Sequence, residues 1–434
     1  MIDRYTRPVM AQIWGSENRL RLQLEVELAA VDGWVAVGRV PVTDAEALRQ
    51  SARLDPARMA ELEGSTGHDV ASFVEAVAET AGPAGRWLHF GLTSNDVNDT
   101  TLALQLVQAT DLLLEDLDAL DRAVLDKAAA LRDVPQIGRT HGVHAEPITA
   151  GLMFARWHAE IARGRARLQN AREEVRVGKI SGPVGTYAGL DPRIERLVCE
   201  RMQLRPARDA TQVVARDRHA AYLCALAVLG GSLEYFATTI RGLQRTEVRE
   251  VEEPFRGGQK GSSSMPHKRN PEKCERICGQ ARLLRAFALA GLEDQALWFE
   301  RDISHSSTER VILPDATTLL DYMLSLLTEI VAGLHVYPEA MARNLAATRG
   351  LWSSGPALNA LIGAGLPREE AYRLVQEHAQ AAWGGGATFA ERLLADLRLT
   401  EVARAALASS FDVQAQLRHV PGILADLGVG ASEA

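Results

Sequence analysis

The chain has 434 residues, of which 47% are hydrophobic, and a formal net charge of -8. At roughly 150 residues per domain, this length predicts about three domains, each with ample core. The acidic balance excludes a general nucleic-acid binder, so the basic groups are expected to serve a local anion site.

The charged start Met1-Ile2-Asp3-Arg4 is not a signal peptide. No apolar run approaches the ~20 residues that span a bilayer, so a cytoplasmic protein without a membrane partner is expected. Arg4-Tyr5-Thr6-Arg7-Pro8 leads into a helical run from Ala11 to Val31. Arginines beside a chain end are commonly just solvated. From Thr43 to Ala81 the pattern is a set of short helices interrupted at Gly64-Ser65-Thr66-Gly67-His68-Asp69-Val70. Glycine there lets the backbone approach a ligand, and Asp69 is placed to cap a helix carrying Ala71, Phe73, Val74 and Val77. Capping needs no function, which leaves His68 as the less ordinary residue.

His89-Phe90-Gly91-Leu92-Thr93-Ser94-Asn95-Asp96-Val97-Asn98-Asp99-Thr100 follows. Four consecutive N-cap residue types before a helix supply unpaired N–H groups and hydroxyls at its positive end, a setting that binds carboxylate or phosphate. Beyond it, neither glycine nor proline occurs between Gly91 and Pro135. Leu106, Ala109, Leu113, Leu117, Leu120, Val124, Ala128 and Leu131 recur there at spacings of three and four, the stripe of a bundle helix. Comparable patterns occupy Thr149 to Val177, Asp209 to Glu252, Pro271 to Trp298 and Pro314 to Leu345. Five long helices predict an all-α fold built on one elongated bundle, whose first helix would span on the order of 60 Å. That is too long for one compact domain to cover, so bundles of other subunits are expected alongside.

The turn between the first two long helices reads Gln136-Ile137-Gly138-Arg139-Thr140-His141-Gly142-Val143-His144-Ala145-Glu146-Pro147-Ile148-Thr149. His-x-x-His invites a metal, but no third ligand or His-Glu pattern lies near it, so no metal and no cofactor is expected. Imidazole suits proton transfer at neutral pH instead. Ser181-Gly182-Pro183-Val184-Gly185-Thr186-Tyr187 makes a glycine turn ahead of the third bundle helix, and Gln212 is expected near that helix's start. In Glu300-Arg301-Asp302-Ile303-Ser304-His305-Ser306-Ser307-Thr308-Glu309-Arg310, arginines with serines between them suit a phosphate, and Pro314 closes this cluster between bundle helices. Cysteines 199, 224, 274 and 278 sit in helical patterns without a CxxC pair, as reduced thiols do. From about Ala342 onward shorter helices with glycine punctuation, such as Trp383-Gly384-Gly385-Gly386, carry no evident chemistry. Pro367-Arg368-Glu369-Glu370-Ala371-Tyr372 reads as the capped start of one of them.

One stretch remains, Gly261-Ser262-Ser263-Ser264-Met265-Pro266-His267-Lys268-Arg269-Asn270-Pro271. Three hydroxyls, a Met-Pro break and the preceding Gly257 and Gly258 mark an exposed loop. The chain has five lysines, and Lys260, Lys268 and Lys273 fall in or beside this loop, so an anionic partner is expected. The run resembles the signature loop of the fumarase/aspartase superfamily, and its His-Lys-Arg-Asn version is similar to that of the adenylosuccinate lyase family and, less closely, the carboxymuconate cycloisomerases. The resemblance covers nearly the whole chain.

It implies three helical domains, 1–92, 93–341 and 342–434, and a homotetramer with a twenty-helix core and sites shared between subunits. It further implies a carbon-nitrogen lyase of purine biosynthesis that eliminates fumarate from adenylosuccinate, giving AMP, and from the succinylcarboxamide imidazole nucleotide. His141 would be the general acid and Ser262 the general base, with Ser263, Lys268 and Asn270 on the succinyl carboxylates. Thr93, Ser94 and Gln212 would also hold the succinyl group, and His68, Asp69 and His89 would bind substrate. Arg4, Tyr5, Arg301, Ser306 and Arg310 would lie at the phosphate. The chemistry agrees, because such an elimination needs a base, an acid for the leaving nitrogen, and cations or N–H groups for the developing carboxylate charge. The alternatives are a cycloisomerase-like or other lyase of the superfamily, or a non-catalytic structural protein on the same scaffold.

Overall fold

The computed structural model describes residues 1–430. Its longer part begins with α1 (Pro8–Trp14), α2 (Ser16–Ala36), α3 (Val42–Ser51), α4 (Pro56–Thr66) and α5 (Asp69–Ala81). The long helices follow: α6 (Ser94–Ala130), α7 (Ala150–Val175), α9 (Asp217–Leu243), α10 (Glu272–Glu293) and α11 (Ser304–Gly333), with the short α8 (Pro192–Arg201) between the second and third. Strands β1 (Pro135–Thr140) and β2 (Val143–Thr149) form a hairpin. β3 (Val177–Gly178) pairs with β4 (Arg205–Pro206), and β5 (Val251–Glu252) with β6 (His335–Val336). The chain finishes on α12 (Pro338–Ala346), α13 (Ser354–Gly363), α14 (Arg368–Trp383), α15 (Phe389–Leu394), α16 (Glu401–Leu407), α17 (Val413–Leu417) and α18 (Val420–Asp426). The class is all-α, as the helical periodicity predicts.

The periodicity finds its cause in burial. Leu106, Ala109, Leu113, Leu117, Leu120, Val124 and Ala128 are all fully buried, each leucine contributing on the order of 1.5–3 kcal/mol. α6 has 37 residues, so at 1.5 Å per residue it runs about 55 Å. α9 and α11 are long and apolar enough to cross a bilayer, contrary to the expectation that no run would be. With 50% and 67% of their apolar windows buried inside the protein, they read as bundle helices, apolar on more than one face.

Helix boundaries depart from the expected ones in informative places. The early run is two helices split at Gly15. α9 starts at Asp217, leaving 209–216 irregular. α11 starts ten residues before Pro314 and carries it inside; Asp302 accepts the Ser304 N–H at 2.7 Å and starts the helix, so the polar cluster that Pro314 was expected to close continues as helix. Proline costs one backbone hydrogen bond there, and buried Leu313, Ala316, Leu319 and Leu320 offset it. α14 has Pro367 at its N-cap, with no side-chain cap bond.

The chain divides into two compact units: Met1–Leu117, Arg163–Leu233 and Gly279–Ser325 in one, Asp118–Ala162, Glu234–Cys278 and Leu326–Ala434 in the other. In the first, α2, α3 and α5 share a core with α8, where Val26, Leu48, Val77, Ile194 and Val198 meet. Buried Asp96 of α6 holds the 178–182 turn to this core. Its carboxylate accepts from Lys179 Nζ and from the Ser181 and Gly182 N–H groups, and both charged side chains are fully buried. In the second unit Trp157 stacks on Phe236, with ring centroids 4.7 Å apart. Phe389 and Leu393 of α15 join Leu361, Leu374 and Leu407 in a separate C-terminal cluster. All four cysteines are free, and Cys199, Cys274 and Cys278 are buried.

Candidate functional site

In the first unit, the start of α2, the α4–α5 junction, the first turns of α6 and the start of α11 enclose a cavity of about 650 Å³. His68, Asp69, Ser94, Arg301, Ser306 and Arg310, all expected in a site, line it together. Each is placed by a helix end. Gly67 closes α4 in the left-handed conformation at φ 65°, and the next residue, His68, caps α5 by accepting the Ala71 N–H at Nδ1 (3.3 Å). The cap is therefore His68, and not Asp69 as expected. Because Nδ1 accepts, neutral His68 carries its hydrogen on Nε2. Asp69 is the first residue of α5 and pairs with Arg310 at 2.8 Å. Burial opposes the Asp69 anion, but Arg310 and the Val70 N–H outweigh it and hold the carboxyl below its usual range.

Other expected residues stand back from this cavity. Gln212 reaches it indirectly, its Oε1 accepting from Arg301 Nη1 at 2.9 Å. Thr93 does not present a free donor at the α6 terminus as expected, since its N–H is bonded to Asp96 Oδ2 at 2.8 Å. His89 has a left-handed backbone and is bound twice by buried Glu27, through its N–H and through Nδ1, both at 2.7 Å. Burial disfavours its imidazolium, yet the Glu27 bond and charge prevail and raise its titration. Arg4 and Tyr5 form a short 3-10 turn, in which Tyr5 packs against Tyr322 with centroids 5.2 Å apart. Arg7 anchors that segment on Asp116 (2.6 Å) and Asp321 (2.7 Å).

The cavity floor is a buried charge cluster. Arg216 donates to both Asp99 oxygens at 2.9 Å and lies 3.2 Å from Glu309 Oε1 through Nε. Asp99 also accepts from Asn95 Nδ2 and from the Val214 N–H. Burial works against the Asp99 anion, but Arg216 and these bonds overcome it and bring the carboxyl to about 2. At Glu309 burial outweighs the Arg216 charge, the Asp99 and Asp294 carboxylates add to it, and the carboxyl is pushed up to about 8. Burial and Arg216 drive the neighbouring His219 down to about 3 and His305 to about 4.

The second unit carries His141 and the serine loop. The segment expected as a helix turn is a β-hairpin with His141 and Gly142 at its tip, φ 56° and 77°, and His141 exposed. Positive φ at both central residues is the geometry of a two-residue hairpin turn. Glu250 fixes its base: fully buried, it accepts from Gln136 (2.7 Å), Arg139 (2.6 Å) and Asn344 (2.7 Å). In the loop, Ser262 Oγ accepts the Ser264 and Met265 N–H groups at 3.3 and 3.1 Å. Asn270 Nδ2 donates to the Gly261 carbonyl at 2.9 Å, and a Cβ on Gly261 would meet the Lys268 carbonyl at 2.1 Å, so only glycine fits. Ser263 and Lys268 are exposed.

The lyase family model matches residues 4–284, and a model of the adenylosuccinate lyase C-terminus matches residues 350–427. The adenylosuccinate lyase of Bacillus subtilis (strain 168) is 47% identical over 99% of this chain and all of that protein. That of Synechocystis sp. is likewise 47% identical over 99% of the chain. The chain belongs to the adenylosuccinate lyase family. Its fold recurs in a fumarate lyase from Mesorhizobium sp. BNC1 (TM-score 0.87, 26% identity, 98% of this chain and 99% of that one). It recurs also in the 3-carboxy-cis,cis-muconate lactonizing enzyme of Pseudomonas putida (TM-score 0.86, 28% identity, 98% and 96%).

Arg19, Asn95, Asn98, Asp99, Gln105, Arg216, His305 and Glu309, given no individual role by the sequence, line the same cavity. A signal was present. Asn95, Asn98, Asp99 and Gln105 recur at helical spacing on one side of the first turns of α6, and His305 and Glu309 stand at i and i+4 beside Ser306 and Arg310.

Proposed function

We infer that this chain is an adenylosuccinate lyase, releasing fumarate from adenylosuccinate to give AMP and from succinylaminoimidazole carboxamide ribotide to give AICAR. The observation that carries it is the 47% identity across the whole length of an adenylosuccinate lyase. The site suits a nucleotide anion, since Arg301, Arg310 and Ser306 meet at the cavity beside the start of α6.

In the elimination, a base takes the Cβ proton of the succinyl group, the electron pair forms the fumarate double bond, and the C–N bond breaks while an acid protonates the departing N6. Ser262 is proposed as that base and His141 as that acid, with Ser263, Lys268 and Asn270 on the carboxylates. A serine is a poor base at its free pKa, and the two N–H groups already directed at Ser262 Oγ would stabilise it as an alkoxide. Thr93, Ser94, Gln212, His68, Asp69 and His89 are proposed for the succinyl and base portions, and Arg4, Tyr5, Arg301, Ser306 and Arg310 for the phosphate. No metal or cofactor enters this scheme.

The assembly proposed is a cytoplasmic homotetramer of three-domain subunits (1–92, 93–341, 342–434) with shared sites. Exposed Leu283, Leu289 and Leu292 along α10, with Val228 of α9 and Val311 of α11, support it as apolar surface that other copies would cover. Incubation with adenylosuccinate, followed by ultraviolet absorbance, tests the activity: AMP and fumarate should form in equal amounts, and no conversion would overturn the reading. Mixing a His141→Ala chain with a Ser262→Ala chain should restore activity if subunits share sites. With subunit exchange verified, inactivity would exclude the sharing.

A further inference from the structure

The cavity floor holds one guanidinium between two carboxylates. Arg216 is matched in both position and charge by Asp99, whose two oxygens take its two terminal nitrogens. Glu309 Oε1 approaches the remaining Nε at 3.2 Å in an ion pair but completes no hydrogen bond with it, and is buried without a hydrogen-bond partner. A buried carboxylate that shares its counter-ion and lacks hydrogen bonds is costly to keep ionised, so such a group is neutralised by a proton where it can be. Asp99 faces Glu309 from α6, Arg216 from the segment before α9, His219 from α9 and Asp294 from the end of α10, while His305 stands one turn earlier on Glu309's own helix, α11. Both histidines are held neutral and Asp294 adds negative character, so among the described residues Arg216 is the cation in ion-pair contact with Glu309.

We propose that Glu309 is a positioning residue that sets the charge of the cavity floor, and that an anionic nucleotide binds well only while Glu309 carries a proton. This rests on the adenylosuccinate lyase reading. With the proton, Asp99 and Arg216 cancel and the floor is neutral beneath Arg301 and Arg310. Without it, the floor gains one negative charge in a poorly screened setting, directly opposing a ligand that is itself an anion. The titration of Glu309 near 8 puts this change just above neutral pH. Glu309 acts through charge on the binding of the nucleotide and takes no part in the proton transfers, so it should move KM and leave kcat alone.

The test is the pH dependence of KM and kcat for adenylosuccinate from pH 6.5 to 9.5, with AMP binding measured by calorimetry over the same range. With only the protonated form competent, the wild-type affinity for both should fall about tenfold between pH 7 and pH 9, leaving the Glu309-independent pH profile of kcat in place. Glu309→Gln keeps the shape and fixes the neutral state, and should abolish this alkaline loss. Asp99→Asn makes Glu309 the counter-ion of Arg216, so the floor is neutral with Glu309 ionised; that variant should lose the alkaline limb as well and gives a second reading should Glu309→Gln fold poorly. An alkaline rise in KM that persists unchanged in either folded variant overturns the proposal, as does a wild-type KM without that rise. In both cases fumarate release at neutral pH would leave the lyase reading standing; absence of fumarate at every pH would overturn that reading and this proposal with it.

Discussion

The first unit's cavity and the second unit's two exposed turns solve different problems. In the first unit, α6 is tied to two irregular segments by buried ion pairs: Asp96 with Lys179 of the 178–182 turn, and, at the cavity floor, Asp99 with Arg216 just before α9. His141 instead sits at an exposed hairpin tip and half-buried Ser262 at the edge of an exposed loop, placed by local hydrogen bonds and by glycines at 142 and 261. The contrast suggests that recognition is built on a preorganised scaffold, whereas the proposed proton-transfer groups sit where short segments can adjust.

Substitution on the two sides should therefore fail in different ways. The largest effect is expected from His141→Ala, which should lower turnover about 10²- to 10⁴-fold, the usual worth of a general acid, with an unchanged melting temperature. Near-normal turnover would remove His141 from its role. Lys179→Met attacks the scaffold. It strands the fully buried Asp96 carboxylate and should cost about 3–5 kcal/mol in denaturant unfolding, and an unaltered midpoint would show that the pair is not holding the 178–182 turn. Arg310→Ala lies between the extremes, because its pair with Asp69 leaves Arg310 58% exposed. Stability should move by less than about 1 kcal/mol, while loss of the proposed charged hydrogen bond to phosphate should raise KM about tenfold.

The smallest expected effect is one of pH. His89 titrates above its free value in the folded protein, so folding retains its proton more firmly than the unfolded chain does. Its contribution is complete below the free imidazole range and is lost as pH rises through the folded value. Thermal unfolding followed across that range should show a small loss of stability in the wild type that Glu27→Gln removes. An identical profile in the variant would mean that Glu27 does not sustain the protonated ring.

How far the sequence reaches can be judged from particular residues. The stripe from Leu106 to Ala128 identified the bundle because burial on a helix imposes a 3.6-residue period that survives in any context. The loop at 261–271 and the polar starts of α5, α6 and α11 pointed to chemistry because their residue types are poor choices for a packed helix. Local pattern places His141 in a helix turn although it occupies a hairpin tip, since a strand pair of six and seven residues is specified by partners across the ladder more than by local preference. Propensity favours Asp69 over His68 as the cap, because a histidine in that place is uncommon.

The sequence by itself determined the helical class, the long bundle and the segments that carry polar chemistry, because periodicity, turn residues and capping are written over spans of a few residues. Only the tertiary structure decided that Asp99, Arg216 and Glu309, far apart in the chain, share one buried cluster with a single positive charge for two carboxylates. Charge balance in a poorly screened interior depends on which groups meet there, and that is settled by how α6, α9 and α11 pack.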